Sequence, residues 1–292
     1  MTREELEALV REVVTETLTM RSLGTQTPPA EPCADDVCAP RDAKLQRPAD
    51  PIEAKRVKDA TPARLVQGRT GTRYLTSSYI ALRSEHAIAL DAVHSSVPEG
   101  WAAKHGCIEV RSRCKDHAQF LLHPDLGRRL DDASKAKVQA EGSKGVDVQV
   151  IAGDGLSAHA LLTQAPALLP ALDAALRAQG FSTGKPVFVR LARIGVADEI
   201  GVLLGAKATV ILVGERPGLG TGDSLSIYTA FKPRLNQDNA EKNCISNVRK
   251  LGHPPEVAAQ DCAKLMRRTF DAGGGGINLV RPTVVVGKRA EA

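Results

Sequence analysis

From Val146 onward, short β-branched runs alternate with turns and helix-period stretches, and this alternation restricts the fold more than any other feature of the chain. Val148-Gln149-Val150-Ile151, Pro186-Val187-Phe188-Val189 and Ala208-Thr209-Val210-Ile211-Leu212-Val213 read as strands. Ser157 to Leu162, continued by Leu168 to Ala178, and Asp198 to Leu204 read as the helices between them, and Pro255 to Phe270 as a long amphipathic helix after the last. Strands joined by helices must lie parallel, because only a connection of this length can carry the chain back to the same end of a sheet. The Thr209 to Val213 run has no polar interruption, the pattern of a central strand covered on both faces.

The expected fold class is therefore α/β: a Rossmann-like, doubly wound, mainly parallel sheet over 146–292, preceded by a smaller, mostly helical region over 52–145. In that region Leu75, Ile80, Leu82, Ile88, Leu90 and Val93 suggest helices interrupted by a turn at Gly68-Arg69-Thr70-Gly71. Ile108-Glu109-Val110 and Phe120-Leu121-Leu122 read as a hairpin or two short strands, and 127–140 as a polar, exposed helix. Residues 1–23 place Leu6, Leu9, Val10, Val13 and Leu18 near helical period against a charged face, so an amphipathic helix is expected there. Residues 24–51 turn to Pro, Ala, Asp and Thr without apolar period and read as a flexible linker. A helix tethered in this way suits docking into a partner's groove.

Composition narrows the function. The chain of 292 residues is 42% hydrophobic, enough for one or two ordinary cores. Only 3% of it is aromatic, and the net charge of +5 is spread among acidic residues, so stacking platforms for nucleic acid and a basic stripe for membranes are both missing. No apolar run reaches membrane-span length and the first residues lack a secretory core, so a cytoplasmic location is expected. The six cysteines are scattered without C-x-x-C spacing and read as free thiols.

Ligands in open α/β sheets gather at the carboxyl ends of the strands. Gly214-Glu215-Arg216-Pro217-Gly218-Leu219-Gly220 sits there, with glycines that let a bulky partner approach and a carboxylate that accepts hydrogen bonds. Independent chemistry is poorly supplied. Gly155-Leu156-Ser157-Ala158-His159 lacks the last glycine of a nucleophile elbow, and Ser157 reads as a helix cap. Gly218-Leu219-Gly220-Thr221-Gly222 has the wrong spacing for a dinucleotide loop, no G-K-[ST] follows a strand, and Gly273 to Gly276 reads as a helix stop. The seven histidines never pair with a second ligand on one element, so no metal site and no catalytic residue is expected.

The segments GERPGLG (214–220) and CISN (244–247), within a longer match from about Thr61 to Val280 that includes HPDLGRRL and GGGGINLV, resemble the small subunit of ethanolamine ammonia-lyase. The resemblance implies an adenosylcobalamin-dependent lyase converting ethanolamine to acetaldehyde and ammonia, active only with a large subunit that carries substrate and catalysis. This chain would form one wall of the cobalamin site, within a higher hetero-oligomer, and 52–145 would contact the large subunit. On the family's pattern the cofactor contacts are Ile194, Glu215 and Cys244: an apolar and main-chain surface, an acceptor for corrin amides, and a small soft neighbour. No D-x-H-x-x-G occurs, so base-on cobalamin is implied. Residues 1–23 would direct the enzyme to the shell proteins of a bacterial microcompartment. The rival readings are a stand-alone Rossmann-type nucleotide-binding enzyme and a non-catalytic scaffold.

Overall fold

The computed structural model describes residues 50–280 apart from 62, 66, 68 and 71. The helix expected over 1–23 and the expected linker up to residue 49 lie outside the described residues. The chain divides after Ser78 into two compact units. In the first, α1 (Pro51–Asp59) starts on Asp50, whose carboxylate accepts the N–H groups of Ile52 at 2.9 Å and Glu53 at 3.0 Å. Two short strands, β1 (Arg69–Thr70) and β2 (Arg73–Tyr74), pair antiparallel, so Arg69 and Thr70, expected within a turn, form a strand instead. The following helix, α2 (Thr76–His94), runs on into the second unit.

The second unit is built on six strands in the order β3-β5-β4-β6-β7-β8. These are β3 (Ile108–Arg111), β4 (Val148–Gly153), β5 (Val187–Arg190), β6 (Ala208–Gly214), β7 (Leu225–Phe231) and β8 (Asn243–Val248). The first four lie parallel, and β7 and β8 extend the sheet antiparallel. Successive side chains point to opposite faces, so Val150, Phe188 and Leu212 meet one helical layer while Ile151, Val189 and Ile211 meet the other. The first layer holds α3 (Trp101–Lys104), α6 (Ala158–Ala178) and α8 (Pro255–Ala272); the second holds α5 (Asp132–Glu141) and α7 (Val196–Leu204). Burial on both faces is why β4 and β6 carry no exposed residue. The mostly parallel, doubly wound sheet read from the alternation is thus present. No helix among the described residues is long and apolar enough to cross a membrane.

Two local readings change. Ile108-Glu109-Val110 does form a strand, but it is the edge of the main sheet, parallel to β5 with Ile108 opposite Val187, so the sheet also draws on chain before residue 146. Its expected hairpin partner is instead a helix, α4 (His117–Leu122). Asp116 caps it by accepting the Gln119 N–H at 2.8 Å, and Phe120 on the helix is fully buried. The stretch after β6, read as a glycine-rich loop, contains β7, whose Leu225 and Ile227 enter the α6 layer while Ser226 and Tyr228 face the other way. In α6 two internal prolines, Pro166 and Pro170, do not end the helix. Burying Leu161, Leu168, Leu172 and Leu176, worth about 1.5–3 kcal/mol each, offsets the two missing backbone hydrogen bonds.

The chain runs from β4 to β5 on one side, then crosses back past β4 to β6 on the other. That reversal opens a crevice beyond the carboxyl ends of these strands.

Candidate functional site: the cleft at the carboxyl ends

A cleft of about 590 Å³ occupies this position. Its wall comes from the loops after three strands: Gly155 and Leu156 after β4, Ala192 to Gly195 after β5, and Glu215 and Arg216 after β6. Two glycines let the loops come this close. Gly155 has a φ of +61°, and a methyl group there would collide with the Gly214 carbonyl; one on Gly214 would collide with the carbonyl of Ser157. Ser157 caps α6, accepting the Ala160 N–H at 3.1 Å and donating its hydroxyl to the Gly222 carbonyl at 2.6 Å. The helix-cap reading of Ser157 therefore holds, and its proton is committed to a structural bond.

Three buried or half-buried carboxylates hold the wall together, and sequence reasoning singled out only Glu215. Asp154, at the end of β4, accepts the N–H groups of Gly155 (2.9 Å), Leu191 (2.8 Å) and Ala192 (2.9 Å), tying the β5 loop to β4. Leu191 has a φ of 56°, a left-handed backbone that these bonds help to hold. Asp198, near the start of α7, accepts the Lys242 ammonium at 2.8 Å; Lys242 directly precedes β8. The side chains of this pair are only 3% and 2% exposed, so it bolts α7 to β8 away from water.

Glu215 accepts the hydroxyls of Ser224 (2.6 Å) and Ser226 (2.5 Å) and the Asn247 N–H (2.9 Å), which fastens the β6 loop to β7 and β8. Burial disfavours its charge, but the three donors together outweigh burial and hold the carboxyl below its ordinary 4.5. A depressed folded-state pKa stabilises the fold fully above the ordinary value, and the contribution is lost as pH falls through the folded value. Urea unfolding of Glu215→Gln against the wild type should show a stability gap that is constant above about pH 6 and narrows as pH falls below the ordinary carboxyl value. A gap that widens as the pH falls through that range would contradict this role.

Ile194 and Glu215, expected as contacts from different segments, thus line one cleft. Cys244 does not line it: the thiol is exposed on β8, opposite Tyr228 on β7, and it is Tyr228 and Ser246 that reach the cleft. Burial first, and then the neighbouring thiol, raise the Tyr228 phenol above its ordinary value. Arg128, Arg129, Arg193 and Arg216 give the cleft a cationic side. Burial, with Arg216 and Arg128 nearby, lowers Arg193 from the usual guanidinium value. Asp154 and Asp198 carried one signal that sequence could have used: apolar surroundings at a strand end and at a helix start leave a carboxylate little to do except bind backbone or a cation.

Residues 51–280 match the ethanolamine ammonia-lyase light-chain family. The chain is 39% identical over 236 residues, 81% of its own length and 80% of the relative's, to the ethanolamine ammonia-lyase small subunit of Fusobacterium nucleatum subsp. nucleatum. The match runs through the whole sheet and every loop of the cleft, and the chain belongs to the ethanolamine ammonia-lyase light-chain family.

Proposed function

We propose that this chain is the small subunit of an adenosylcobalamin-dependent ethanolamine ammonia-lyase and that its cleft forms one wall of the cofactor site. The observation that carries the reading is the convergence of Ile194 and Glu215, from the ends of two parallel strands, on the same cleft at the topological reversal of the sheet. The residues present fit part of such a ligand. The volume suits a drug-sized portion rather than a whole corrinoid, which fits a site shared with a second protein. The four arginines suit the phosphodiester of a nucleotide tail, and Ile194 and Leu156 offer apolar contact.

When bound, the cofactor supplies the radical that takes hydrogen from ethanolamine. This chain's own part is to hold and orient. Asp154 and Glu215 fix the loops against which the ligand rests, and the arginines neutralise its anionic group. Cys244, outside the cleft lining but opposite Tyr228 on the neighbouring strand, is proposed as a small neighbour of the ligand's outer part.

The partner that completes the site is the large subunit, and α2 suits its docking. Tyr79, Leu82 and Leu90 share one face of this helix by its 3.6-residue period and are 53%, 39% and 45% exposed. The test mixes the chain with an ethanolamine ammonia-lyase large subunit and adenosylcobalamin and follows ammonia release. Activity is expected only in the mixture, and Leu90→Asp should raise the concentration of small subunit needed for half-maximal activity about tenfold. Equal activity from the large subunit alone would sink the reading, and turnover by this chain alone would favour a stand-alone enzyme. Residues 1–23 are proposed to bind microcompartment shell proteins. Deleting them should abolish co-purification with the shell while leaving activity intact, and retained co-purification would refute the tag.

A further inference from the structure

The ion pair that bolts α7 to β8 is left incomplete beside the cleft. Asp198 and Lys242 both line it. Lys242 Nζ donates to Asp198 Oδ2 at 2.8 Å and reaches Asn239 Oδ1 only at 3.4 Å, so the ammonium, with three protons, makes one good bond. Asp198 Oδ1 has no hydrogen-bond partner although Asp198 is only 2% exposed. A second orphan acceptor belongs to the same cleft. Gln237, 6% exposed, directs its amide nitrogen at two acceptors, Phe231 O and Glu241 Oε2, both at 3.3 Å. That fixes the orientation of the amide and leaves Oε1 without a donor. Buried acceptors without partners are rare in native proteins, and two in one cleft would be satisfied by donors from outside the chain, a ligand or the water it displaces.

We infer that Asp198, Lys242 and Gln237 form a subsite for a primary carboxamide of the bound ligand. The inference rests on the cobalamin reading and adds to it which chemical group is recognised, and where. A primary amide is the neutral group that answers both halves of the pair: its NH₂ donates to Asp198 Oδ1 and its carbonyl accepts from Lys242 Nζ. A carboxylate in its place would meet Lys242 well but would set two anions against each other at Asp198, which costs affinity in a dry site. Elsewhere along the cleft the arginines would instead favour the acid, so the sign of the discrimination separates this subsite from its surroundings. Asp198 and Lys242 are positioning residues here, since none of the chemistry of the reaction takes place on them.

The test measures binding to the complex of small and large subunits, without substrate, by spectral titration. The probes are adenosylcobalamin and its monocarboxylic acid derivatives, in each of which one amide is replaced by a carboxylate. The wild-type complex should bind at least one acid about tenfold or more weakly than the parent, the effect expected for a hydrogen bond to a charged group. In Asp198→Leu/Lys242→Met, which removes both charges together, that preference should shrink to within about twofold, and in Gln237→Met it should fall part of the way. A purely structural pair would lower the affinity for all probes alike and leave the ratio unchanged. Equal binding of parent and acids by the wild type, or an undiminished ratio in both variants, overturns the subsite. A wild-type complex that binds adenosylcobalamin no better than the large subunit alone overturns the cobalamin reading itself.

Discussion

Lys242→Met alone is expected to destabilise the chain by about 3–5 kcal/mol, and adding Asp198→Leu to it is expected to return most of that loss. The reason is the asymmetry of buried charge. Together the ammonium and carboxylate, 2.8 Å apart with side chains 2% and 3% exposed, offset much of each other's desolvation. With Lys242 gone, Asp198 stays on α7 as an unpaired anion, 2% exposed at the edge of the cleft. Little water reaches it, so much of the cost of the buried charge falls on the folded state. An apolar pair of comparable size carries no such cost. Chemical denaturation of the full chain with the two single variants and the double variant measures the coupling directly. Single-variant losses below about 1 kcal/mol, or a double variant no more stable than the singles, would show that water or another group compensates the charge.

Asp154→Ala should cost about 3–5 kcal/mol, because three backbone N–H groups lose their acceptor at once and each unsatisfied donor costs about 1–3 kcal/mol before relaxation. Asp154 is 8% exposed and its partners belong to two segments, the β4 turn and the β5 loop. The damage should therefore reach the cleft as well as the fold: Ile194 lies two residues beyond Ala192, which Asp154 holds, and loop disorder there should weaken ligand binding. Asp154→Asn keeps the shape and one acceptor oxygen and should recover part of the loss. Urea midpoints across the three forms decide the matter, and a change of less than about 1 kcal/mol in Asp154→Ala would mean that the β5 loop is held elsewhere.

Much of the architecture was legible in advance because it follows from local pattern. The apolar run from Thr209 to Val213 needs cover on both faces, and only a central parallel strand between two helical layers provides that. Ser157 was readable as a cap and Gly273 as a helix stop, and both are so: Gly273 ends α8 with a φ of 68°. The misread elements depended on partners distant in sequence. Ile108 to Arg111 has the alternation of a hairpin strand, and only its pairing with β5, some eighty residues later, makes it the sheet edge. Phe120-Leu121-Leu122 is apolar enough for a strand, and one capping carboxylate at Asp116 tipped it into a helix.

The candidate site divides in the same way. Sequence alone determined the fold class and the family and marked the loops that line the cleft, because hydrophobic period and motif spacing are local properties of the chain. It could also mark Glu215 as an acceptor. Only the tertiary structure decided what that acceptor holds, since Ser224 just before β7, Ser226 on β7 and Asn247 on β8 all reach it. The same is true of Asp198 and Lys242, forty-four residues apart, whose pairing left Asp198 Oδ1 without a partner. Burial and hydrogen-bond satisfaction are properties of the packed chain, so a polar group's cost and use appear only when distant segments meet.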